Sequence, residues 1–273
     1  MSRDFVTGTE LKTGELRALL DRALALKADP LTSRALESRT VALLFEKPST
    51  RTRVSFQAGI FELGGLPMVL GQADLQLSRG ESVRDTALVL SRHVAAIGVR
   101  TGPDALVEEL AAHASVPVFN MLSAGHHPCQ ALADLMTMRE AFGELDGRRL
   151  AGVEVAVASP PGYELEPMPG ATLVTDPYEA VAGADVVYTD VWVSMGDEAT
   201  AGERRAALAP YRLDDALLDR AAPGAIALHC LPAHPGEEVT ASVLYGERQR
   251  IWDQAENRRH AQKALLEWLL ANE

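Results

Sequence analysis

The chain has 273 residues, of which 47% are hydrophobic and 23% are charged, with a formal net charge of −12 and a sequence pI of about 5.1. This composition is typical of a globular protein with a substantial core, and it excludes a disordered chain. The acidic balance argues against a general nucleic-acid or anionic-membrane surface, because either would need a basic face.

Targeting signals are absent from the sequence pattern. The first residues contain no apolar signal segment, and no run of 18 apolar residues occurs, so we expect neither secretion nor membrane insertion, and a cytoplasmic location by default. Cys129 and Cys230 do not form a CxxC pair, which argues against a zinc cluster and predicts two reduced thiols.

The first half alternates helical and strand patterns. Leucines recur at helical spacing over residues 15–27, and the apolar run TVALLF, residues 40–45, is typical of a buried strand. The same alternation continues to residue 143. Its later elements are a helix ending at Gly64-Gly65, a strand at 67–70, helical spacing over 78–94, a strand at 95–100, a helix in LVEELAAHA, a strand in VPVFNML and a helix in HPCQALADLMTMREAFG.

The second half shows the same alternation of strands and helices. A polar stretch, residues 144–152, precedes it and is predicted to be a linker. The predicted strands are 154–158, 185–192 and 225–232, with helices near 176–182 and 213–222 and a closing helix over 255–270. Residues 159–170 are too rich in proline and glycine for a crossover helix. The sequence therefore predicts an α/β fold of two domains, each with a mostly parallel sheet flanked by helices.

The stretch KPSTRTRVSF, residues 47–56, follows one predicted strand and opens a helix. Such a turn directs free N–H groups and the positive end of the helix dipole at one place, which suits an anion. Ser49, Thr50 and Thr52 add hydroxyl donors, and Arg51 adds a planar fork that fits phosphate. The alternative is an ordinary helix cap beside a solvated arginine.

Further polar groups follow the neighbouring strands. Arg100 ends the strand in GVRT, while His127 and Gln130 lie where a strand gives way to a helix in AGHHPCQALADL. His127 could donate to a carbonyl oxygen, or be an ordinary surface histidine. Because ligands bind beyond the carboxyl ends of parallel strands, we expect these groups to converge.

The second half offers comparable positions. Asp190 ends a strand in TDVWVSMGDE and could pair with a substrate ammonium or hold a turn. Cys230 in LHCLPAH could lie beside a reacting amine or be a buried thiol. Adjacent strand residues face opposite ways, so we do not expect His229 and Cys230 to bind one metal. Arg258, in ENRRH, lies near the start of the predicted last helix and could reach back over the cleft.

Five motifs, in order, resemble the ornithine carbamoyltransferases of the aspartate/ornithine carbamoyltransferase family: FEKPSTRTRVSF, HPCQALADL, TDVWVSMG, HCLPAH and ENRRHAQKA. The resemblance runs over about residues 16–270. It implies a carbamoyl-phosphate domain at 1–145, with the C-terminal helix 255–271 packed on it, and an ornithine domain at 146–254. It also implies a homotrimer or a multiple of one, with no metal and no organic cofactor.

The resemblance further implies a role for each matching residue. The phosphate of carbamoyl phosphate would be bound by Ser49, Thr50, Arg51 and Thr52. The carbamoyl group would be held by Arg100, His127, Gln130 and Arg258, with Pro128 and Cys129 of the HPCQ motif also in the binding site, and a neighbouring subunit would supply Gln76.

The second domain would bind L-ornithine. Its amino-acid end would contact Asp190, Ser194 and Met195, and its reacting amine would lie near Cys230 and Leu231.

The implied reaction is carbamoyl transfer to the δ-amine of L-ornithine, giving L-citrulline and phosphate in arginine biosynthesis. Thr52, Arg100 and His127 would stabilise the charge that develops on the carbonyl oxygen, and Arg100, His127 and Cys230 would be catalytic. Two alternatives stay open. One is a degenerate homologue that binds carbamoyl phosphate without turnover, and the other is a transcarbamylase for a different amino-acid acceptor.

One departure from the family pattern concerns the second domain. A strand, a Gly-Asp-Gly-Asn-Asn-like turn and a long helix are absent after Val155, and a further helix is absent before ATLVTD. The only asparagines are Asn120, Asn257 and Asn272, none of them where the family binds ornithine. We therefore predict a shortened second domain, with exposed strand faces or an altered strand order, and weakened or lost ornithine binding.

Overall fold

The computed structural model describes residues 3–143, 145, 154–167, 169–193 and 198–271. The chain divides into two compact units. Unit 1 comprises Met1–Met136 and Glu256–Glu273, and unit 2 comprises Thr137–Ala255.

The first nine elements alternate between helices and strands. They are α1 (Thr13–Ala28), β1 (Thr40–Phe45), α2 (Thr50–Glu62), β2 (Leu66–Gly71), α3 (Val83–Leu90), β3 (Ala96–Arg100), α4 (Asp104–His113), β4 (Val118–Leu122) and α5 (Pro128–Phe142). The four strands form one parallel sheet in the order β2-β1-β3-β4.

The remaining elements are shorter, apart from the last helix. They are β5 (Val155–Ala158), β6 (Ala171–Val174), α6 (Pro177–Val181), β7 (Val186–Thr189), α7 (Ala201–Leu208), α8 (Asp215–Leu218), β8 (Ile226–His229), α9 (Ala241–Leu244) and α10 (Ile251–Leu270).

The sheet of unit 1 is covered on both faces. Val41 and Leu43 of β1 pack into one hydrophobic cluster, and Ala42 and Leu44 pack into the other, as the two-residue period of a strand requires. The first cluster also contains buried residues of α1, α2, α5 and α10, and the second contains residues of α3 and α4. Packing on both faces is the usual environment of a parallel sheet.

Unit 2 has a different sheet arrangement. β5 pairs with β6 and β7 pairs with β8, both in parallel, as two separate two-stranded sheets within the described part of the chain. The twelve-residue connection 159–170 contains no helix in its described positions. Its prolines and glycines account for this, as the sequence predicts.

The α/β fold class is confirmed, but several element bounds differ from the sequence-based expectation. The strands predicted at 185–192 and 225–232 span only Val186–Thr189 and Ile226–His229, and the helix predicted near 213–222 spans only Asp215–Leu218. The helical pattern over 78–94 is a short 3-10 helix, Gln76–Arg79, followed by α3, because Gly80 takes a left-handed φ of 95° and Ser82 caps a new helix. The last helix begins at Ile251, four residues before the predicted start. The predicted linker lies outside the described residues, apart from Leu145. None of the described helices is both long and apolar enough to cross a membrane.

Candidate active site

The carboxyl ends of three strands lie side by side in unit 1. Phe45 of β1 is in register with Arg100 of β3, and Arg100 is in register with Leu122 of β4. An irregularity between Val99 and Arg100 shifts the register at the end of β3, as a β-bulge that redirects a side chain does. The turns that follow these strands carry the predicted anion-binding residues.

The turn between β1 and α2 has the geometry of a capped helix. Ser49 is the N-cap of α2, and its hydroxyl oxygen accepts a hydrogen bond from the Thr52 N–H at 3.4 Å. Thr50 and Arg51 are exposed, whereas Thr52 is fully buried. The cap and the anion site are thus compatible, because capping satisfies one N–H and leaves the exposed donors available.

The Thr52 hydroxyl contacts the side chains of two arginines. Its Oγ1 accepts hydrogen bonds from Arg258 Nη2 at 2.7 Å and from Arg100 Nη1 at 3.4 Å. A hydroxyl has two acceptor lone pairs and one proton, so the proton of Thr52 is left to donate elsewhere. The side chain can therefore act as a donor to a ligand while it orients both guanidinium groups.

Arg258 also connects this turn to α5. Its Nη1 donates to Gln130 Oε1 at 3.1 Å, and Gln130 Nε2 donates to Asp134 Oδ1 at 2.8 Å. Arg258, Gln130 and Thr52 are all buried. The predicted reach of Arg258 back to the first half is thus observed, and Asp134 is a positioning residue that the sequence alone did not identify.

The electrostatics of this cluster favour an anion. Burial, together with the charges of Arg258 and Arg51, lowers the pKa of Arg100 to about 10. Burial, together with the positive charges of Arg258 and Arg100, lowers the pKa of His127 to about 3. His127 is therefore neutral at physiological pH, and several partly desolvated cations surround one position in a chain of net charge −12.

Buried polar atoms of Arg100 and His127 have no hydrogen-bond partner among the described residues. They are the Nε of Arg100 and the Nδ1 of His127. Buried donors and acceptors in native proteins are normally satisfied, so such atoms call for a ligand or water. An oxyanion or carbonyl group bound here would meet that requirement.

The other members of the HPCQ motif have structural contacts. Pro128 begins α5, and the Cys129 thiol is buried and donates to the Asn120 carbonyl at 3.2 Å. Burial raises the pKa of Cys129 to about 12, so this thiol is not ionised at neutral pH.

Gln76, the residue expected from a neighbouring subunit, is exposed in the short 3-10 helix, where its Oε1 accepts a hydrogen bond from Arg79 at 3.5 Å.

Unit 2 brings Asp190 and Cys230 together. The Cys230 Sγ donates to Asp190 Oδ1 at 2.9 Å, and the same oxygen accepts from the Val191 N–H at 2.7 Å. Both residues follow the last residue of a strand, β7 for Asp190 and β8 for Cys230. Leu231 has a left-handed φ of 61°, so the backbone turns sharply after the thiol. Ser194 and Met195 lie outside the described residues.

The expectation that His229 and Cys230 point apart is wrong. The ligand atoms of Asp190, His229 and Cys230 lie within 4.8 Å of one another, because β8 ends at His229 and the strand alternation stops there. His229 already uses both ring nitrogens: Nδ1 accepts from the Leu231 N–H at 2.8 Å, and Nε2 lies 3.2 Å from Glu238 Oε1. A metal would therefore have to displace one of these contacts.

Glu238 is the support of this turn. It is fully buried, and its Oε1 also accepts from the His234 N–H at 2.5 Å. Burial raises its pKa, but the hydrogen bonds from His229 and His234 outweigh burial and hold the pKa below its ordinary value. No motif in the sequence marked this residue.

Comparisons with known proteins agree with the site. The carbamoyl-P binding domain of the aspartate/ornithine carbamoyltransferases matches residues 3–140, and their Asp/Orn binding domain matches residues 145–269. This chain belongs to the aspartate/ornithine carbamoyltransferase family. The family resemblance of the five motifs is thereby confirmed.

Several family members are similar over nearly their whole length. The ornithine carbamoyltransferase of Acidothermus cellulolyticus is 50% identical, with 99% of this chain and 97% of that protein covered. That of Bacillus subtilis is 45% identical, with 98% and 94% covered. The solved structure of ornithine carbamoyltransferase from Pyrococcus furiosus is 41% identical, has a TM-score of 0.91, and covers 100% of this chain and 98% of that chain.

The family members are nevertheless longer. The alignment with the Acidothermus cellulolyticus carbamoyltransferase spans 303 positions, about thirty more than the 273 residues of this chain. About thirty positions of that relative thus have no counterpart here. A strand, a turn and a helix together need about twenty of these positions.

Proposed function

We propose that this protein is an ornithine carbamoyltransferase, which transfers the carbamoyl group of carbamoyl phosphate to the δ-amine of L-ornithine and releases L-citrulline and phosphate. The observation that carries the proposal is the buried cluster in which Arg100 and Arg258 both donate to Thr52. The names of relatives that are 45–50% identical over almost the full chain support ornithine as the acceptor.

In the proposed mechanism, the phosphate of carbamoyl phosphate binds at the turn that begins α2, on Ser49, Thr50, Arg51 and the N–H groups of the first helical turn. Arg51 supplies a planar cation to the phosphate oxygens. The phosphate leaves into this same site, so its charge is already matched when the C–O bond breaks. Gln76 of a neighbouring subunit completes the site.

The carbamoyl group is held beside it. Arg100, the Thr52 hydroxyl and neutral His127 donate to the carbonyl oxygen, where charge develops as the δ-amine attacks the carbon. Gln130, oriented by Arg258 and Asp134, holds the carbamoyl amide. Most of the acceleration comes from positioning and preorganised charge, since no covalent enzyme intermediate is required.

The acceptor end is assigned to unit 2. Asp190, Ser194 and Met195 bind the α-amino and α-carboxylate groups of ornithine, and Cys230 with the Leu231 backbone lies near the reacting amine. We further propose that ornithine binds more weakly here than in longer relatives, because no asparagine stands at the family's ornithine position. Asn120 instead donates to the Val6 carbonyl and to Ser123.

We also propose a homotrimer, or a multiple of one, acting in arginine biosynthesis in the cytoplasm. Exposed apolar side chains in unit 1 support subunit association, among them Val54 and Phe61 of α2 and Leu66 of the edge strand β2. A different acceptor stays a second candidate, since a structure of acetylornithine transcarbamylase with acetylcitrulline is 26% identical with a TM-score of 0.85. The identity to ornithine enzymes is much higher.

The proposal is tested by incubating the protein with carbamoyl phosphate and each acceptor, ornithine, N-acetylornithine and aspartate, and measuring the carbamoylated product. Citrulline formation that depends on both substrates supports it. Binding of a phosphonate analogue of carbamoyl phosphate without turnover on any acceptor would instead establish the degenerate homologue.

A further inference from the structure

The turn that precedes His127 lies on the surface of unit 1. It joins β4 to α5 over residues 123–126, of which Ala124, Gly125 and His126 are exposed. His127 follows it directly, and the Nδ1 of this histidine is buried without a hydrogen-bond partner among the described residues. An exposed turn has few packing contacts, so its hydrogen bonds determine where the histidine lies.

Backbone hydrogen bonds hold the base of this turn. The Ser123 N–H donates to the His126 carbonyl at 2.9 Å and closes the turn. The Ala124 N–H donates to the Gly102 carbonyl at 2.7 Å. The turn therefore rests on the connection between β3 and α4.

The side chain of Asp104, the first residue of α4, holds the tip of the same turn. Both of its oxygens accept from the Gly125 N–H, Oδ1 at 3.3 Å and Oδ2 at 3.2 Å. Oδ1 also lies 3.3 Å from His126 Nδ1. One carboxylate thus contacts the two residues that immediately precede His127.

The close approach of the carboxylate depends on a glycine at position 125. A Cβ on Gly125 would lie 2.7 Å from Asp104 Oδ2, so any larger residue would push the carboxylate away. Gly125 is not among the glycines with a left-handed φ. Its replacement by alanine would therefore disturb the contact with Asp104 without straining the backbone of the turn.

The carboxylate is charged at neutral pH. Hydrogen bonds from Ser123, His126 and Gly125 outweigh burial and lower the pKa of Asp104 below its ordinary value. Hydrogen bonds to a charged acceptor are stronger than those between neutral groups. Because Asp104 and His126 are both partly exposed, their ion pair should contribute little to global stability, and the effect we expect is on local geometry.

The position of His127 is fixed from both sides. Its carbonyl accepts from the N–H groups of Gln130 at 3.0 Å and Ala131 at 3.3 Å, which ties it to the first turn of α5. On its other side it is continuous with the turn held by Asp104. Release of that turn would let the imidazole shift, and a misplacement of about 1 Å can cost on the order of 10²-fold in rate.

We propose that Asp104 is a positioning residue, which holds the turn 123–126 through Gly125 and His126 and thereby places the imidazole of His127 against the carbonyl oxygen of the carbamoyl group. The inference rests on the proposed function, because His127 is assigned its role there. Asp104 acts through the turn and is assigned no contact with either substrate.

The test compares two probes that differ in the carbamoyl group. Phosphonoacetamide carries a phosphonate and a carbamoyl group, whereas inorganic phosphate has only the part that binds at α2. Asp104→Ala removes the tether, and Gly125→Ala displaces it while keeping the charge. We expect both variants of the full chain to bind phosphonoacetamide about tenfold more weakly and phosphate with unchanged affinity. Equal weakening for the two probes, or no weakening for either, would overturn the proposal.

Glu108→Ala is the matched control. Glu108 is exposed one turn further along α4, so this variant removes one carboxylate from the same helix. We expect it to bind both probes like the wild type. A loss of phosphonoacetamide affinity as large as that of Asp104→Ala would mean that net charge, and not the tether, is responsible.

A double-mutant cycle with His127→Ala separates positioning from a merely structural effect. If Asp104 acts through the imidazole, Asp104→Ala should weaken phosphonoacetamide binding no further once His127 is replaced. Effects of the two substitutions that multiply would show that Asp104 acts independently of His127 and would contradict the proposal.

Citrulline formation, measured on the same samples, distinguishes this inference from the proposed function. We expect kcat of Asp104→Ala to be at least tenfold lower than that of the wild type. Normal kcat in Asp104→Ala and Gly125→Ala, beside an active wild type, contradicts only the positioning role. A wild type that binds phosphonoacetamide but forms no citrulline contradicts only the enzyme assignment, and the binding comparison still decides the role of Asp104.

Discussion

Arg258 Nη2 donates to Thr52 Oγ1 at 2.7 Å, although the two residues are 206 positions apart in the chain. The contact joins α10 to the first turn of α2. It makes the last helix part of the buried cluster around Thr52 in unit 1. Arg258 thus contributes a charge, an orienting contact to Thr52 and another to Gln130.

Thr52→Val should lower kcat by about 10²–10³-fold, because it removes a hydroxyl that is proposed to donate to the developing oxyanion and that contacts two arginines. Thr52→Ser keeps the hydroxyl and should retain most of the activity. Steady-state kinetics of both variants measure the difference. A Thr52→Val variant with normal kcat would show that this hydroxyl has no part in the reaction.

Arg51→Ala should weaken phosphonate-analogue binding at least tenfold, because the exposed fork is proposed to contact the phosphate. Arg53→Ala is the matched control: it removes one positive charge from the same helix, and its Nε contacts only Gln57 in the described contacts, at 3.4 Å. Calorimetric titration of both variants compares them. Equal affinities of the two variants for the analogue would show that the turn in KPSTRTR caps the helix and does not bind the phosphate.

Analogue affinity, corrected for the separately measured ionisation of the phosphonate itself, should be steady at neutral pH and should fall as the pH rises through about 10, where the free protein loses the charge on Arg100. The pKa of Arg100 is lowered, so the charged form that binds an anion is present below this value and lost above it. His127 has a pKa of about 3, so its ionisation should cause no change in analogue affinity between pH 5 and 9. Titrations across pH 5–11 test both statements, and a break near pH 6.5 would contradict the second.

Glu238→Gln should destabilise unit 2 by about 2 kcal/mol at neutral pH, the usual worth of hydrogen bonds to a charged group. The folded pKa of Glu238 lies below its ordinary value of 4.5, so its stabilisation is present above that pH and is lost as the pH falls through the folded value. The gap between wild type and variant in the free energy of unfolding should therefore narrow in acid.

Denaturant titrations at pH 7 and at acid pH measure that gap. Glu237→Gln is the control, because Glu237 is partly exposed and pairs with Arg205 at 3.0 Å. Such a surface pair contributes little. A gap that is the same at both pH values would mean that the charge of Glu238 is not what stabilises the turn.

Local patterns predicted much of the fold of unit 1. The run TVALLF gives β1 with its observed bounds, because Thr40 and the five apolar residues that follow it fit a buried strand and are too few for a helix. The convergence of Arg100, His127 and the Ser49 turn also followed from parallel topology alone. The break at Gly80 was missed, since helical spacing continues across it while the glycine adopts a left-handed conformation.

The contacts that complete the site could not be predicted in this way. Asp134 accepts a hydrogen bond from Gln130, and Glu238 contacts His229 and the His234 N–H. Nothing in the local sequence of either residue separates it from other acidic residues. The error over His229 and Cys230 has a different origin: β8 ends at His229, three residues before the predicted end at 232, so the alternation on which the argument rested does not reach Cys230. The roles assigned to Gln76, Ser194 and Met195 stay predictions.

The ornithine dependence of citrulline formation tests the account most directly. It is measured with the full chain and saturating carbamoyl phosphate, beside the Acidothermus cellulolyticus carbamoyltransferase under the same conditions. We predict citrulline formation that depends on both substrates, with a KM for ornithine at least tenfold higher than that of the longer relative. No citrulline at any ornithine concentration, from a protein that still binds the phosphonate analogue, would contradict the proposed function.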